Sequence, residues 1–274
     1  MNKYLHVGAV TIGALLLTIA SWQPTIAQPS AATVALTGAR VIDGTGRVPI
    51  DDATLLVANG RVAAVGPSAD VRVPEGATRV SLNGKTIVPG FVNAHGHVQV
   101  EQDSQLPVRD DLLRRLRMYA SYGVTTVASL GSTERDEAPG IALAREQRAG
   151  RADGARLYTS GRAVAGRTPE ESRAAVDRLA DLGVDVVKLR LEGNANDPDF
   201  DTFRAQVARA HERGLRAAVH IFDLADAAMA VEAGVDVIGH SVRHQDVTPD
   251  FIEALKARGV FYVPTLRRVL SVLV

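Results

Sequence analysis

Two histidines separated by one glycine, His95 and His97, lie at the end of an apolar run at residues 87–94. In a β-strand successive side chains alternate between the two faces, so this spacing directs both imidazoles to the same side. Neutral imidazole nitrogens suit zinc and its neighbours among the transition metals. The pair therefore indicates a metal site, although two such histidines near a strand end are also typical of a surface or capping pair.

Three further residues with metal-binding or nucleophilic chemistry end other apolar runs, namely Lys188, His220 and His240. An ammonium group among the apolar residues around position 188 is costly to bury unless it is paired or neutralised. A desolvated lysine loses its proton more readily. Its amine can then react with carbon dioxide, and the resulting carbamate is an oxygen donor able to bridge two cations. The alternative is that Lys188 reaches solvent or forms a salt bridge.

The composition restricts the class of protein and partner. The chain has 274 residues, 46% of them hydrophobic, with 31 basic and 31 acidic residues. This balance gives no electrostatic sign of nucleic-acid or membrane-surface binding, so we expect a small-molecule substrate, while a homo-oligomer remains open. Because the sequence has no cysteine, disulfides and thiolate metal sites are excluded.

The N-terminal residues have the pattern of a targeting signal. Lys3 is followed by an apolar stretch at 7–20 and by small residues before Gln28. This pattern predicts a signal peptide over residues 1–27 and export to the periplasm or the medium, with no stable membrane insertion after cleavage. The alternative is an uncleaved anchor, but the apolar stretch is shorter than the roughly 20 residues that span a bilayer.

The rest of the chain divides into a β-rich part and a part of alternating strands and helices. Residues 28–86 read as short strands, with a hairpin signal at Asn59 and Gly60, and are expected to be the N-terminal part of a composite β-sandwich subdomain. From residue 87 onward, helices that end on glycine precede apolar runs, as parallel βα units do. The runs lie at 87–92, 124–130, 157–159, 184–191, 217–221, 235–238 and 260–264.

The distribution of polar residues favours a closed barrel over an open doubly wound sheet. An open sheet concentrates its ligand site at one switch point, often with a glycine-rich phosphate loop. A barrel places its chemistry at the carboxyl ends of several strands. Here the candidates end the first, fourth, fifth and sixth runs, and no G-x-G-x-x-G motif follows a strand.

With these strand runs and site candidates in this order, the chain resembles the amidohydrolase superfamily, in particular its imidazolonepropionase-related and Xaa-Pro-dipeptidase-like branch. The matching segments are VIDGTG (41–46), PGFVNAHGH (89–97), GVTTV (123–127), VDVVK (184–188), the strand end at His220, and AGVDVIGHS (233–241). The fold that the resemblance implies is α/β, a TIM-type (β/α)8 metallohydrolase barrel preceded by a small β-sandwich segment.

The resemblance also implies a metal centre and a reaction. His95 and His97 would hold one divalent ion and His220 and His240 a second, zinc above all, with N-carboxylated Lys188 bridging them. The implied reaction is hydrolysis of a carbon–nitrogen bond, in an amide, a peptide or a cyclic amide, by a metal-bridging hydroxide.

One expected group has no counterpart in the sequence. In the family, an aspartate after the eighth barrel strand serves as catalytic residue, and it would lie beyond residue 274. We count seven strand runs, and a complete barrel typically takes about 250 residues. The expectation is therefore a C-terminally truncated barrel over 87–274, without its eighth strand and the final β-strands, in a chain that can be inactive.

Two other functions remain open, a Schiff-base lyase that uses Lys188 as nucleophile and a non-catalytic ligand-binding fragment. The remaining ionisable residues are weaker candidates. His244 is close to His240 and could contact substrate, whereas His211 is expected on a helix surface. Arg190 and Glu192 could orient ligands or be ordinary charges at the rim.

Overall fold

The computed structural model of the protein describes residues 33–266, so the predicted signal peptide lies outside the described residues. The chain divides into two compact units, with the boundary in the sequence between Pro89 and Gly90. Within residues 33–266 no helix combines the length and the apolar character needed to cross a membrane.

The first unit contains five short strands, in the part of the chain where the sequence predicts short strands. They are β1 (Val34–Val41), β2 (Ile50–Ala58), β3 (Arg61–Pro67), β4 (Thr78–Ser81) and β5 (Thr86–Ile87). They form one sheet in the order β3-β2-β1-β4, and β5 also pairs with β1. The predicted hairpin joins antiparallel β2 and β3, with positive φ at Asn59 (53°) and Gly60 (71°). Residues 33–89 form a single layer, so the second layer of the expected sandwich is not among the described residues.

The apolar run at 87–92, predicted as one strand, is divided between the two units. β5 ends at Ile87, and β6 begins at Phe91. Pro89 has no backbone N–H to donate to a strand ladder. At Gly90, a Cβ atom would lie 2.1 Å from the Thr125 Oγ1 atom, so only glycine fits there. The prediction of one continuous strand was wrong because these two residues interrupt it.

The second unit has the seven parallel strands that the sequence predicts. They are β6 (Phe91–Gly96), β7 (Val124–Ser129), β8 (Arg156–Thr159), β9 (Val186–Arg190), β10 (Arg216–His220), β11 (Val237–Gly239) and β12 (Phe261–Val263). They form two sheets, ordered β6-β7-β8 and β12-β11-β10-β9, and every pairing is parallel. The α/β class is therefore confirmed, while the described residues form no closed barrel.

Helices alternate with these strands. Within residues 90–266 they are α1 (Val108–Ser121), α2 (Glu137–Arg148), α3 (Pro169–Leu182), α4 (Phe200–Glu212), α5 (Leu224–Ala233) and α6 (Pro249–Arg258). The predicted helix–glycine–strand junctions are confirmed, since α3, α5 and α6 end on Gly183, Gly234 and Gly259 in the left-handed conformation. The periodicity did not single out α2, which begins with Pro139 and Gly140 in its first turns, both poor helix formers.

Two apolar clusters hold the strands in place. One lies between β9–β11 and the helices α3–α6, with Phe203 and Leu189 fully buried. The other packs β7 and β8 against α1 and α2 around Leu116 and Leu143. The two sheets approach each other where the Asp185 N–H donates to the Thr159 carbonyl over 2.8 Å. These clusters fix the strands whose carboxyl ends carry the candidate residues.

Candidate functional site

The five predicted site residues lie on four strands, near their carboxyl ends. His95 is in β6 and His97 directly follows it; Lys188 is in β9; His220 ends β10; and His240 follows β11. The imidazole ring centroids lie 5.5 Å apart for His95 and His97, 4.4 Å for His95 and His240, and 4.5 Å for His220 and His240. The structure therefore brings the four histidines together in one cluster.

Lys188 is buried beside this cluster. Lys188 is only 3% exposed, and its Nζ atom has no hydrogen-bond partner. Burial, together with the positive charge of Arg190, lowers the pKa of Lys188 from 10.5 to about 7. Lys188 therefore does not reach solvent, and a large share of its amine is neutral near pH 7.

Two of the histidines, His95 and His220, are also held in a neutral form. Burial, and then the charge of Lys188, lower the pKa of His95 to about 2, and the same two causes lower the pKa of His220 to about 4. Both ring nitrogens of His95 are buried and without a hydrogen-bond partner. Neutral imidazole is the form that binds a metal, and buried polar atoms without partners call for an explanation.

The donor set fits divalent metal ions that accept nitrogen ligands, provided that Lys188 takes part. Among residues 33–266, no three His, Cys, Asp or Glu side chains are arranged to hold one metal ion. The histidine rings instead follow one another in the order His97, His95, His240 and His220, and three protein ligands are needed for a catalytic zinc site. A carboxylated Lys188 would supply the missing ligand, since its Nζ atom is buried without a partner and Lys188 lines the same cavity as His97, His220 and His240.

Backbone features around β11 make room for the cluster and orient it. A Cβ atom at Gly239 would lie 2.6 Å from Cε1 of His95, so the His95 ring packs directly on the glycine. His240 has φ of 77°, a left-handed conformation that costs a non-glycine residue of the order of 1–3 kcal/mol. Its N–H donates to the Val263 carbonyl (2.9 Å), and its Nδ1 is hydrogen bonded to Thr265 Oγ1 (2.8 Å).

The cluster opens into a cavity of about 430 Å³. Some of the residues that line the cavity or support the cluster, Gln99 and Thr265 among them, were not predicted from the sequence. The cavity lining comprises His97, Gln99, Leu130, Gly131, Ser132, Ala163, Lys188, Arg190, His220 and His240. Gln99 could have been predicted as a lining residue, because the strand-like alternation of side chains continues from His95 and His97 to position 99. Thr265 also follows the carboxyl end of a strand, the position that singled out the other candidates.

The weaker candidates differ in position, since two lie on the surface and one lines the cavity. His211 is on the surface as expected, where its Nε2 atom lies 2.9 Å from a carboxylate oxygen of Asp236. His244 is exposed. Arg190 lines the cavity and forms an ion pair with Glu192.

These features define an α/β protein of parallel βα units with its polar cluster near the carboxyl ends of the strands. The model of the amidohydrolase family matches residues 86–272. The chain therefore belongs to the amidohydrolase family, which confirms the resemblance seen in the sequence.

The chain is similar to several characterised proteins over part of their length. Imidazolonepropionase from Micrococcus luteus is 30% identical over 141 residues, 52% of this chain and 34% of that protein. The structure of a Xaa-Pro dipeptidase with bound methionine has a TM-score of 0.71 at 19% identity and covers 86% of this chain and 67% of its own. For phenylurea hydrolase B the TM-score is 0.72 at 23% identity, over 84% and 64% of the two chains. The two structures bear on the fold alone, and this chain spans about a third of the imidazolonepropionase.

Proposed function

We propose that the protein hydrolyses carbon–nitrogen bonds in small molecules, of amide, peptide or cyclic amide type, at the histidine–lysine cluster. The observation that carries the proposal is the buried set of metal-binding nitrogens without partners, the Nζ atom of Lys188 and both ring nitrogens of His95, beside three further histidines. The names of the similar proteins, a dipeptidase and a phenylurea hydrolase among them, support a carbon–nitrogen bond as the target.

Two divalent ions, zinc above all, are the cofactors in this proposal. His95 and His97 would hold the first, and His220 and His240 the second. Bound there, the ions would lower the pKa of water to near 7 and polarise the substrate carbonyl. The low pKa values of His95 and His220 favour the neutral imidazoles that such ions require.

Lys188 would join the two halves of the site. Its neutral amine attacks carbon dioxide, forms a nitrogen–carbon bond and releases one proton, which leaves a carbamate with two oxygens. Burial favours this chemistry, because it lowers the pKa of the amine to about 7. The carbamate would then be a ligand to both ions.

A further strand completes the barrel in this proposal. The edges of β6 and β12 border a groove of about 440 Å³, lined among others by Val92 and His95 on one side and by Val263 and Leu266 on the other. Among the described residues, each of these strands pairs with only one neighbour. We propose that an eighth strand from outside residues 33–266 fills the groove and carries the carboxylate that transfers a proton to the leaving nitrogen.

A barrel and a sandwich that are each completed by further strands also imply the domain boundaries. Residues 87–274 would be the main part of the barrel, and residues 28–86 the first layer of a sandwich completed by strands outside the described residues. Residues 1–27 would be the signal peptide of an exported protein.

A lyase that forms a Schiff base through Lys188 is the second candidate, since a lysine with a pKa of about 7 is also suited to nucleophilic attack. Borohydride reduction in the presence of a carbonyl substrate separates the two functions. Trapped substrate on Lys188 would support the lyase and oppose the hydrolase.

Metal binding and hydrolysis test the leading proposal together. We expect about two zinc ions per chain by plasma mass spectrometry, and hydrolysis of at least one member of a panel of dipeptides, N-acyl amino acids and cyclic amides. His95→Ala and His220→Ala should each lose bound zinc, because each removes one ligand of a pair, whereas the surface variant His211→Ala should keep it. Full hydrolysis by the chelator-treated protein would contradict the proposal.

Thr265 is expected to position His240 for metal binding. Thr265→Val keeps the branched shape but removes the hydroxyl that contacts His240 Nδ1. Because such supporting hydrogen bonds typically contribute 10–100-fold to metal affinity, zinc should bind about tenfold or more weakly in this variant. Thr265→Ser restores the hydroxyl and should restore the affinity. Equal zinc affinities of the valine variant and the wild type would show that the hydroxyl has no such role.

A further inference from the structure

The cavity beside the histidine cluster has an unusual balance of charge. Among residues 33–266 its lining contains no aspartate or glutamate, and Arg190 is its one arginine, while burial lowers the pKa of Lys188 and of His220 and so favours their neutral forms. A guanidinium without an acidic residue in the lining attracts anionic ligands and repels cationic ones. The charge alone does not identify the group that contacts such a ligand.

Arg190 is placed to make that contact. It is the last residue of β9, two positions after Lys188, so strand alternation puts both side chains on the same face. Its side chain is 56% exposed, lies at the cavity and is therefore accessible to a ligand. Its charge also contributes to lowering the pKa of His220, after burial and the charge of Lys188.

The protein partner of Arg190 is one that a ligand can replace. Arg190 forms an ion pair with Glu192, whose side chain is 40% exposed. Ion pairs at such exposed positions contribute little to stability. A planar guanidinium also presents more donors than one glutamate contact uses, and its fork matches a carboxylate with two parallel hydrogen bonds.

We propose that Arg190 binds the carboxylate of the substrate and that Glu192 competes for the same guanidinium. The substrate class is then N-acyl amino acids and peptides with a free carboxylate near the scissile carbon–nitrogen bond, rather than neutral amides, ureas or lactones. This inference rests on the function proposed for the adjacent cluster, because it assumes that substrate occupies this cavity.

The test compares two probes that differ only in this group, N-acetyl-L-phenylalanine and N-acetyl-L-phenylalaninamide. Calorimetric titration of the full chain in the presence of a chelator removes direct metal–carboxylate contacts. We expect the carboxylate to bind about tenfold more tightly than the amide, as a charge-assisted bidentate contact provides. Arg190→Gln should abolish the preference, and Glu192→Gln should increase it because the competing carboxylate is gone.

Arg243→Gln is the matched control for charge. Arg243 also lowers the pKa of His220, yet it packs over the Phe222 ring and does not line the cavity. An equal loss of preference in Arg243→Gln and Arg190→Gln would overturn the inference in favour of a general field. Equal binding of the two probes, or binding of neither, would also overturn it, as would displacement of the carboxylate by equimolar inorganic phosphate.

Different experimental results would refute the role of Arg190 and the proposed hydrolase function. Zinc binding and amide hydrolysis without any preference for the carboxylate would refute the role of Arg190 alone. A preference that depends on Arg190 in a chain that binds no zinc and hydrolyses no amide would refute the hydrolase alone.

Discussion

Lys188→Met is expected to make the metal-free chain more stable and to abolish binding of the metal pair. The wild-type residue is 3% exposed, and its Nζ atom has no hydrogen-bond partner. Methionine fills a similar volume without a charge to desolvate. Since the pKa of Lys188 falls from 10.5 to about 7, the stabilisation should be up to about 5 kcal/mol at pH 7 or below.

The stabilisation should depend on pH in a defined direction. Between pH 7 and 10.5 the unfolded chain keeps the Lys188 amine protonated while the folded chain releases that proton. The free energy of unfolding of the wild type therefore rises across this interval, and the advantage of Lys188→Met shrinks. Urea unfolding at pH 6.5 and 9.5, with chelator and without carbonate, measures both effects.

Lys256→Met serves as control, because Lys256 is exposed and pairs with Glu253. It should change stability little at either pH. If Lys188→Met were less stable than the wild type at pH 6.5, the amine would have a favourable partner in the folded chain. That result would contradict the description of Lys188 as a buried, unpaired ligand.

Gly239→Ala is expected to displace His95 and to weaken zinc binding by about one to two orders of magnitude, the range seen when the support of a metal ligand is lost. The added Cβ atom would lie 2.6 Å from Cε1 and 2.7 Å from Nδ1 of His95, closer than real Cβ contacts. The backbone of Gly239 is not left-handed, so alanine adds no backbone strain there. The expected cost in stability is about 1–3 kcal/mol from overpacking.

Gly140→Ala separates this effect from a general effect of added methyl groups. At Gly140, in α2, the nearest atom to a Cβ would be 3.9 Å away, an ordinary contact. That variant should keep the zinc affinity of the wild type and gain some helix stability. Calorimetric zinc titration and thermal unfolding of both variants make the comparison. Wild-type zinc affinity in Gly239→Ala would show that His95 does not need its position over the glycine.

The sequence was sufficient to predict the parallel strands and the five clustered residues. Residues such as His95 and His240, which are far apart in the chain and lie on different sheets, could be predicted to lie together because the expected barrel places the carboxyl ends of all its strands on one face. The hairpin at Asn59 and Gly60 was predictable for a local reason, since both residues tolerate positive φ.

Other features depend on contacts that periodicity does not encode. The hydrogen bond between His240 and Thr265 joins the ends of two neighbouring strands, where both residues have positive φ (77° and 47°). The contact of Gly239 with His95 likewise crosses between sheets. Strand count alone also does not decide whether β6 and β12 meet, and the described residues leave their edges apart.

We propose one binuclear metal centre, formed by His95, His97, Lys188, His220 and His240. Anomalous diffraction at the zinc absorption edge, from crystals of the zinc-loaded protein grown in bicarbonate, tests it most directly. We expect two peaks, one beside His95 and His97 and one beside His220 and His240, with density for a carboxylated Lys188 between them. Zinc bound elsewhere, or an unmodified Lys188 with no peak in the cluster, would contradict it.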